Sequence, residues 1–325
     1  MKQSPPPPRE TPRVSVIMPV RNGKDYLQEA LVSVLQQSFT ELELLLVNDG
    51  STDDDYDRYA LQDARVRVLH LSGLGVSCAR NVGMAQARGE FIAFLDADDI
   101  WFPGKLQTQV TYFDQHPDVG VVFGQFIRWP ALANGSFAPA ASLVQDASQF
   151  TRMDPERSGW LYTRLLDGLL VGMNTAVVRR GVYEAIGGFN EAMRQGEDYD
   201  FWLKASRVAE MHSLNGPVAL YRIHGASAMH RLSAESHLVN LLKAASMRWG
   251  LKTLGGQSLA PGAFQERLAR VHFDHGYAHY WRGDRTIARA AFWQALRNGH
   301  RPLRSLVYIC LSYWRAKAPG QPPAT

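Results

Sequence analysis

Cysteine is scarce in this chain: the two residues, Cys78 and Cys310, lie far apart and outside any metal-ligand spacing. That rules out a disulfide framework and a cysteine-based zinc site, and it fits a reducing, cytoplasmic setting. Long apolar runs are also missing. Leu306 to Trp314 is the longest near the C-terminus, well short of the ~20 residues that span a bilayer. Met1 to Pro12 is rich in proline and lacks the apolar core of a signal peptide, so it reads as a disordered tail. No Gly-x-Gly-x-x-Gly opens the first helical pattern, which counts against a dinucleotide-dependent oxidoreductase. Acidic residues thin out late in the chain. From Arg231 onward, 14 Lys and Arg face 4 Asp and Glu, a net +10, whereas the preceding 230 residues hold 21 against 27, a net −6.

What is present is a core. With 325 residues, 46% of them hydrophobic, one large α/β domain plus an appendage is expected. The central feature is Phe91 to Leu95, an apolar run suited to a strand buried on both faces, which ends in Asp96, Asp98 and Asp99. Open α/β sheets bind ligands outside the carboxyl ends of their strands, and alternating carboxylates there can share a hard divalent cation with phosphates. Strands are expected at Val14–Met18, Leu42–Val47, Val66–His70 and Val119–Phe123. Helices are expected from Lys24 to Ser38, Val76 to Ala87, Pro103 to Gln115 and Tyr199 to Val208. Arg128 to Met153 reads as an irregular insertion facing an acceptor. The domains predicted are a tail at 1–12, a Rossmann-like, mostly parallel sheet flanked by helices at 13–230, and an all-helical appendage at 231–325.

Six blocks in order and at matching spacing carry a family resemblance: VSVIMPVRNG (14–23), VNDGSTD (47–53), ARNVG (79–83), FLDADD (94–99), GGFNE (187–191) and GEDYDFWLK (196–204). Together they resemble family 2 glycosyltransferases, inverting enzymes with the GT-A fold, over about Val14 to Ser227. The resemblance implies that Pro19, Val20, Arg21 and Asn22 clasp the donor nucleotide. Asp49 would accept a hydrogen bond from uracil N3–H, and Arg80 would neutralise diphosphate charge. Asn48 stands where the family more often has an acid, and Arg21 where it more often has an aromatic residue.

Within the same resemblance, Asp98 would ligate Mg²⁺ or Mn²⁺ bridging the diphosphate, and Asp96 would touch the ribose or a water on the metal. Asp198 would be the catalytic base, with Glu197 orienting it or binding an acceptor hydroxyl. His224, in YRIHGAS (221–227), would be a further metal ligand or diphosphate contact, and Arg222 would hold phosphate. The implied activity is metal-dependent transfer of a sugar, UDP-linked by preference, to a saccharide or lipid-linked acceptor in cell-surface polysaccharide or glycolipid assembly. A noncatalytic carbohydrate-binding or scaffolding protein on the same fold is the alternative.

The basic C-terminal part suits an anionic partner, with a peripheral membrane contact at the cytoplasmic face as the expectation and no nucleic acid. Phe273 to Asn298 resembles a single tetratricopeptide-like helix pair. His272, His275 and His279 share a helix face, but without an accompanying carboxylate motif they are a weak zinc site.

Overall fold

A computed structural model describes residues 11–225 and 232–314; the tail expected at 1–12 therefore lies outside the described residues except for Thr11 and Pro12. The chain divides into two compact units, one of residues 1–161 and 169–224, the other of 162–168 and 225–325. In chain order the elements are β1 (Val14–Val20), α1 (Lys24–Leu35), β2 (Leu42–Asp49), α2 (Arg58–Gln62), β3 (Val66–Leu71), α3 (Val76–Gln86), β4 (Phe91–Phe94) and β5 (Ile100–Trp101). There follow α4 (Lys105–Gln115), β6 (Val119–Pro130), β7 (Met153–Gly159), α5 (Tyr162–Asp167), β8 (Val177–Arg179), α6 (Arg180–Ile186), α7 (Glu197–Ala205) and β9 (Glu210–Ile223). Four helices complete the described chain: α8 (His237–Trp249), α9 (Pro261–Arg282), α10 (Arg285–Arg297) and α11 (Pro302–Trp314).

The first unit is a GT-A-like α/β fold. Its strands run in the order β3-β2-β1-β4-β8-β6-β9-β5, with β7 on β9. β1 to β4 pair parallel, as their continuous burial and connecting helices require. Beyond β4 the sheet is mixed, because β8 is antiparallel to both β4 and β6. The chain winds outward from β1 to β3 and returns with β4 on the other side of β1. That reversal opens a crevice at the carboxyl ends of β1 and β4. Pro19 sits inside β1 without loss, since β4 has already ended opposite Ile17 and asks for no N–H there.

Several boundaries differ from the expected ones. α1 ends at Leu35, and the Gln37 side chain bonds the carbonyls of Ser33 and Phe102. α4 starts at Lys105 because Gly104 takes a left-handed conformation (φ 79°). β6 runs on to Pro130, pairing with β9 through three register shifts. The segment expected to be an irregular insertion largely covers one face of this pair, where Phe137, Leu143, Val144 and Phe150 pack on Trp129, Val218 and Leu220. α7 begins at Glu197, so the acid pair lies in its first turn, where the helix dipole favours negative charge.

The second unit is helical. Tyr162 of α5 donates to the carbonyls of Ala245 (3.0 Å) and Gly250 (2.9 Å), and Arg270 pairs with Asp167. α9 and α10 pack closely at Gly276, where a Cβ would stand 3.1 Å from the Ala288 carbonyl, and Asp284 caps α10. His279 is engaged by the Ser233 carbonyl and the Asp284 amide, and no group of three metal-ligating side chains occurs among the described residues. No helix of the described residues is long and apolar enough to cross a membrane.

At the opposite end of the sheet from the crevice, Glu43 is almost fully buried. It accepts from Ser15 Oγ (2.7 Å), from the Arg88 amide and side chain and from Arg67. Burial alone would raise its carboxyl, but these bonds outweigh burial and lower it. Glu43→Ala should cost about 2–3 kcal/mol in urea denaturation. A group with a lowered folded-state value stabilises above the unfolded pKa, so the wild-type advantage should vanish as pH falls through the range below 4.5.

Candidate active site

The loops after β1 and β2 are sewn together by their own turn chemistry. Asn22 adopts positive φ (52°), donates its amide to Ser51 Oγ (2.9 Å) and accepts from the Thr52 amide (2.9 Å). Gly23 N–H reaches the Tyr56 hydroxyl, which donates to Asp53. Asn22 thus builds the loop that the resemblance assigns to nucleotide binding. Pro19 and Val20 are buried in β1, while Arg21 is exposed, its guanidinium lying against Gly73.

Asp49 is buried at the end of β2 and accepts the Leu74 amide (2.7 Å) on one oxygen and the Gly75 amide (2.8 Å) on the other. Each oxygen keeps a further lone pair for a ligand donor. Asn48 has a local explanation: its Oδ1 accepts the Ser51 amide, and its Nδ2 faces His70 Nδ1 at 3.4 Å, while His70 Nε2 meets Asp57. An amide presents the donor that a neutral imidazole can accept; an aspartate would not.

At the end of β4 the acids separate by role. Asp99 is fully buried, accepting the Arg222 amide (2.9 Å) and Asn174 Nδ2 (2.7 Å); burial and its acidic neighbours push its carboxyl well up. It is an internal brace. Asp98 faces His224, with Nε2 2.9 Å from Oδ2. Burial and the charge of Asp96 raise the Asp98 carboxyl, and His224 partly offsets them. Asp96 accepts Arg80 Nη2 at 2.9 Å.

Arg80, on α3, is 3% exposed and also donates from Nη1 to Glu197 (3.1 Å), while its guanidinium lies 5.3 Å from the centre of the Phe189 ring. Desolvation opposes its charge, but Asp96 and Glu197 more than restore it. The side chain expected to meet a diphosphate is therefore occupied by two carboxylates. Asp198, half-buried, accepts the Tyr199 amide (2.7 Å); burial and Glu197 raise its carboxyl, and Arg80 draws it back.

One cluster thus brings together Arg80, Asp96, Asp98, Glu197, Asp198 and His224, whereas Pro19 to Asn22 and Asp49 form the neighbouring loop wall. Two residues outside the expected set, Asn174 and Tyr221, complete it, together with Arg222, to which the resemblance assigned phosphate. Arg222 is caged by Tyr26, Trp129 and Phe137 at 4.0–4.8 Å, donates to the Asp98 carbonyl (2.7 Å) and pairs with Glu29. It braces the Asp98 turn instead of facing a phosphate. Asn174 locks Asp99, and Tyr221 feels the charges of Asp99, Asp96, Asp98 and Asp198, which with burial push its phenol up to about 12. The alternation in YRIH hinted that Tyr221 and Arg222 point to opposite faces; which of the two met the acids depended on the partner strand.

The strand order, with its acid cluster at the reversal point, is that of a GT-A-like fold, and comparison with known proteins agrees. Residues 15–137 match the family model described as glycosyl transferase family 2. The chain is 29% identical over 236 residues to an uncharacterized glycosyltransferase of Rickettsia felis, covering 71% of this chain and 37% of that one. It is 36% identical over 128 residues to glycosyltransferase GlyG of Streptococcus pneumoniae, covering 38% and 42%. The chain thus spans well under half the length of both relatives. Among solved structures, S. aureus TarS in complex with UDP-GlcNAc superposes with a TM-score of 0.61 at 20% identity, covering 93% of this chain and 89% of that one. Mannosyltransferase PcManGT from Pyrobaculum calidifontis, in complex with GDP-Man and Mn²⁺, gives 0.54 at 21%, covering 94% and 81%. Residues 15–137 are thus similar to glycosyl transferase family 2, and the fold around them is that of these GT-A structures.

Removing the buried cation should be costly. Arg80→Ala leaves Asp96 and Glu197 facing each other without it and should destabilise the protein by about 3 kcal/mol or more in chemical denaturation.

Proposed function

We propose that this chain is an inverting glycosyltransferase that moves a sugar from a nucleoside diphosphate donor, UDP-linked by preference, to a hydroxyl of a saccharide or lipid-linked acceptor. The carrying observation is the Arg80 bridge. Through it, the acid at the end of β4 that would face the diphosphate and the acid pair of α7 that would face the acceptor share one buried cation. The UDP-GlcNAc and GDP-Man complexes of the two structural neighbours support a nucleotide-sugar donor. Asp49, with lone pairs left over from its two amide bonds, suits a uracil N3–H.

In this reading Asp198 is the base. It takes the proton of the acceptor hydroxyl as that oxygen attacks the anomeric carbon from the side opposite the leaving diphosphate. Its raised carboxyl makes it a stronger base once ionised, and Arg80 and Glu197 hold the helix start that presents it. The donor set fits a hard divalent cation. Asp98 and His224 converge from β4 and β9 and supply an oxygen and a nitrogen, leaving further positions for diphosphate oxygens and water. A Mg²⁺ or Mn²⁺ ion held there would stabilise the charge that develops on the diphosphate. Asp96, drawn to Arg80, would meet the ribose or a metal-bound water.

Participation in cell-surface polysaccharide or glycolipid assembly, at the inner face of a membrane, fits the second unit. α11 buries Ser305, Ile309 and Ser312 while Leu303, Val307 and Tyr313 stand 78%, 55% and 66% exposed. Arg304 and Arg289 flank this apolar face, Arg289 lying 4.3 Å over the Tyr313 ring. An apolar helix face edged by arginine suits an anionic lipid surface.

Three outcomes test these assignments. Calorimetry should detect UDP binding that depends on Mn²⁺ and is lost in Asp98→Ala; absence of UDP binding with or without metal would refute the uridine donor. With a donor and acceptor in hand, Asp198→Asn should lower kcat about 10³-fold without changing UDP affinity, and wild-type activity should rise with pH through a midpoint above the ordinary aspartate value of 3.8. Sedimentation with phosphatidylglycerol vesicles should pull down wild type, and Leu303→Glu/Val307→Glu should remain in solution while keeping UDP affinity.

A further inference from the structure

Past the acid cluster, β6 and β9 run side by side, and their two faces are finished differently. Ile127, Trp129, Val218 and Leu220 point to one face and meet the covering segment of residues 137–150. Phe126, Arg128 and Tyr221 have the opposite parity, with Phe126 opposite Ala219 and Arg128 opposite Tyr221. On this second face Phe126 stays 40% exposed, though β6 is buried throughout from Val119 to Gly124.

The Phe126 ring is seated on purpose-built neighbours. The Tyr221 ring lies 5.4 Å away at a tilt of 55°. Gly172 closes against the ring from the segment before β8: a Cβ there would stand 3.0 Å from Phe126 Cδ1 and 3.1 Å from Asn174 Oδ1, so that a side chain would make the ring or the amide shift. Asn174 in turn holds Asp99, which accepts the amide of Arg222, the residue after Tyr221. The seat of the ring is therefore tied to the brace of the acid cluster through Asn174 and Asp99. Arg128, exposed and on the same face two residues along β6, gives the ring a polar neighbour.

We propose that Phe126, backed by Tyr221 and Gly172, is a stacking platform for a pyranose ring of the acceptor, seated next to the Asp96–Asp98–Asp198 cluster. A pyranose has one face of C–H groups and a rim of hydroxyls. The C–H face loses hydration readily and is drawn to the negative face of an aromatic ring, while the hydroxyls need polar neighbours. A single exposed ring with Arg128 on the same face and the acid brace behind its seat matches that division. An acyl chain would ask for a continuous apolar groove, which this bordered ring is not. The nucleobase has its own wall at Asp49.

This assignment rests on the transfer reading above, and the experiment separates the two. Wild type, Phe126→Ala and Phe126→Trp are compared by calorimetry with UDP and with UDP-GlcNAc in Mn²⁺. The same proteins are compared by saturation-transfer NMR with a panel of methyl glucopyranosides, galactopyranosides, mannopyranosides and N-acetylglucosaminides. The expected result is that wild type binds at least one methyl pyranoside, with the strongest transfer to protons of one ring face. Phe126→Ala should weaken it about tenfold or more and Phe126→Trp should stay within about threefold, with nucleotide affinities unchanged throughout.

An unchanged pyranoside affinity in Phe126→Ala, or no pyranoside bound by a wild type that binds UDP, would overturn the platform and leave the donor reading standing. A loss for UDP-GlcNAc but not for UDP would move the ring to the donor sugar and overturn the acceptor assignment. Phe126-dependent pyranoside binding in a protein that binds no nucleotide would overturn the transfer reading and keep the sugar site.

Discussion

A cation buried between two carboxylates is the interaction on which the rest of this site depends. Desolvating a guanidinium costs several kcal/mol, and it persists in the interior only where charged partners and good geometry offset that cost. Arg80 meets both conditions: Asp96 comes from the strand that heads the crevice, Glu197 from a helix a hundred residues later, and Phe189 lies 5.3 Å from the guanidinium. Without the cation, Asp96, Glu197 and Asp198 would repel one another in a poorly hydrated space. With it, Asp96 and Glu197 are held at a fixed spacing beside Asp198.

A second brace works on the opposite flank. Asp99 gives up any contact with solvent to bind the Arg222 amide and Asn174, and Arg222, ringed by three aromatic side chains, holds the backbone of Asp98. The consequence is that Asp98 and His224 are positioned by groups that themselves cannot move without exposing charge or apolar surface. Lys105 belongs to the same interior. Enclosed over Trp101 and bonded to Gln109, it is pushed well below its ordinary range by burial alone.

The helical unit follows a different rule. Its internal helices are closed by apolar and aromatic contacts among Phe273, Tyr280, Phe292 and Tyr308, whereas α11 turns serines inward and leucines outward. Serine is tolerated inside because Ser312 bonds the carbonyl one turn back and Ser305 bonds His300. The outward apolar face is not part of this unit's own core.

Much of this was legible before any coordinates. Continuous apolar runs specified β1, β2 and β4, helical spacing specified α1 and α3, and acids at strand ends marked the crevice, because burial and periodicity are local properties that a linear pattern records. The six motif blocks contain Asp49, Asp96, Asp98, Glu197 and Asp198, and YRIHGAS contains His224. What the sequence could not supply was the pairing among charges: a buried arginine and an exposed one are written with the same letter, so Arg80 and Arg222 read as phosphate ligands until their carboxylate and aromatic partners came into contact. Asp99 was indistinguishable from its neighbours for the same reason. The parity that faces Phe126 and Tyr221 one way and Trp129 and Arg222 the other is likewise local, but which face remains open depends on where the segment after Pro130 folds back. Only tertiary structure decides that, because desolvation and partner choice are properties of what surrounds a residue and not of the residue itself.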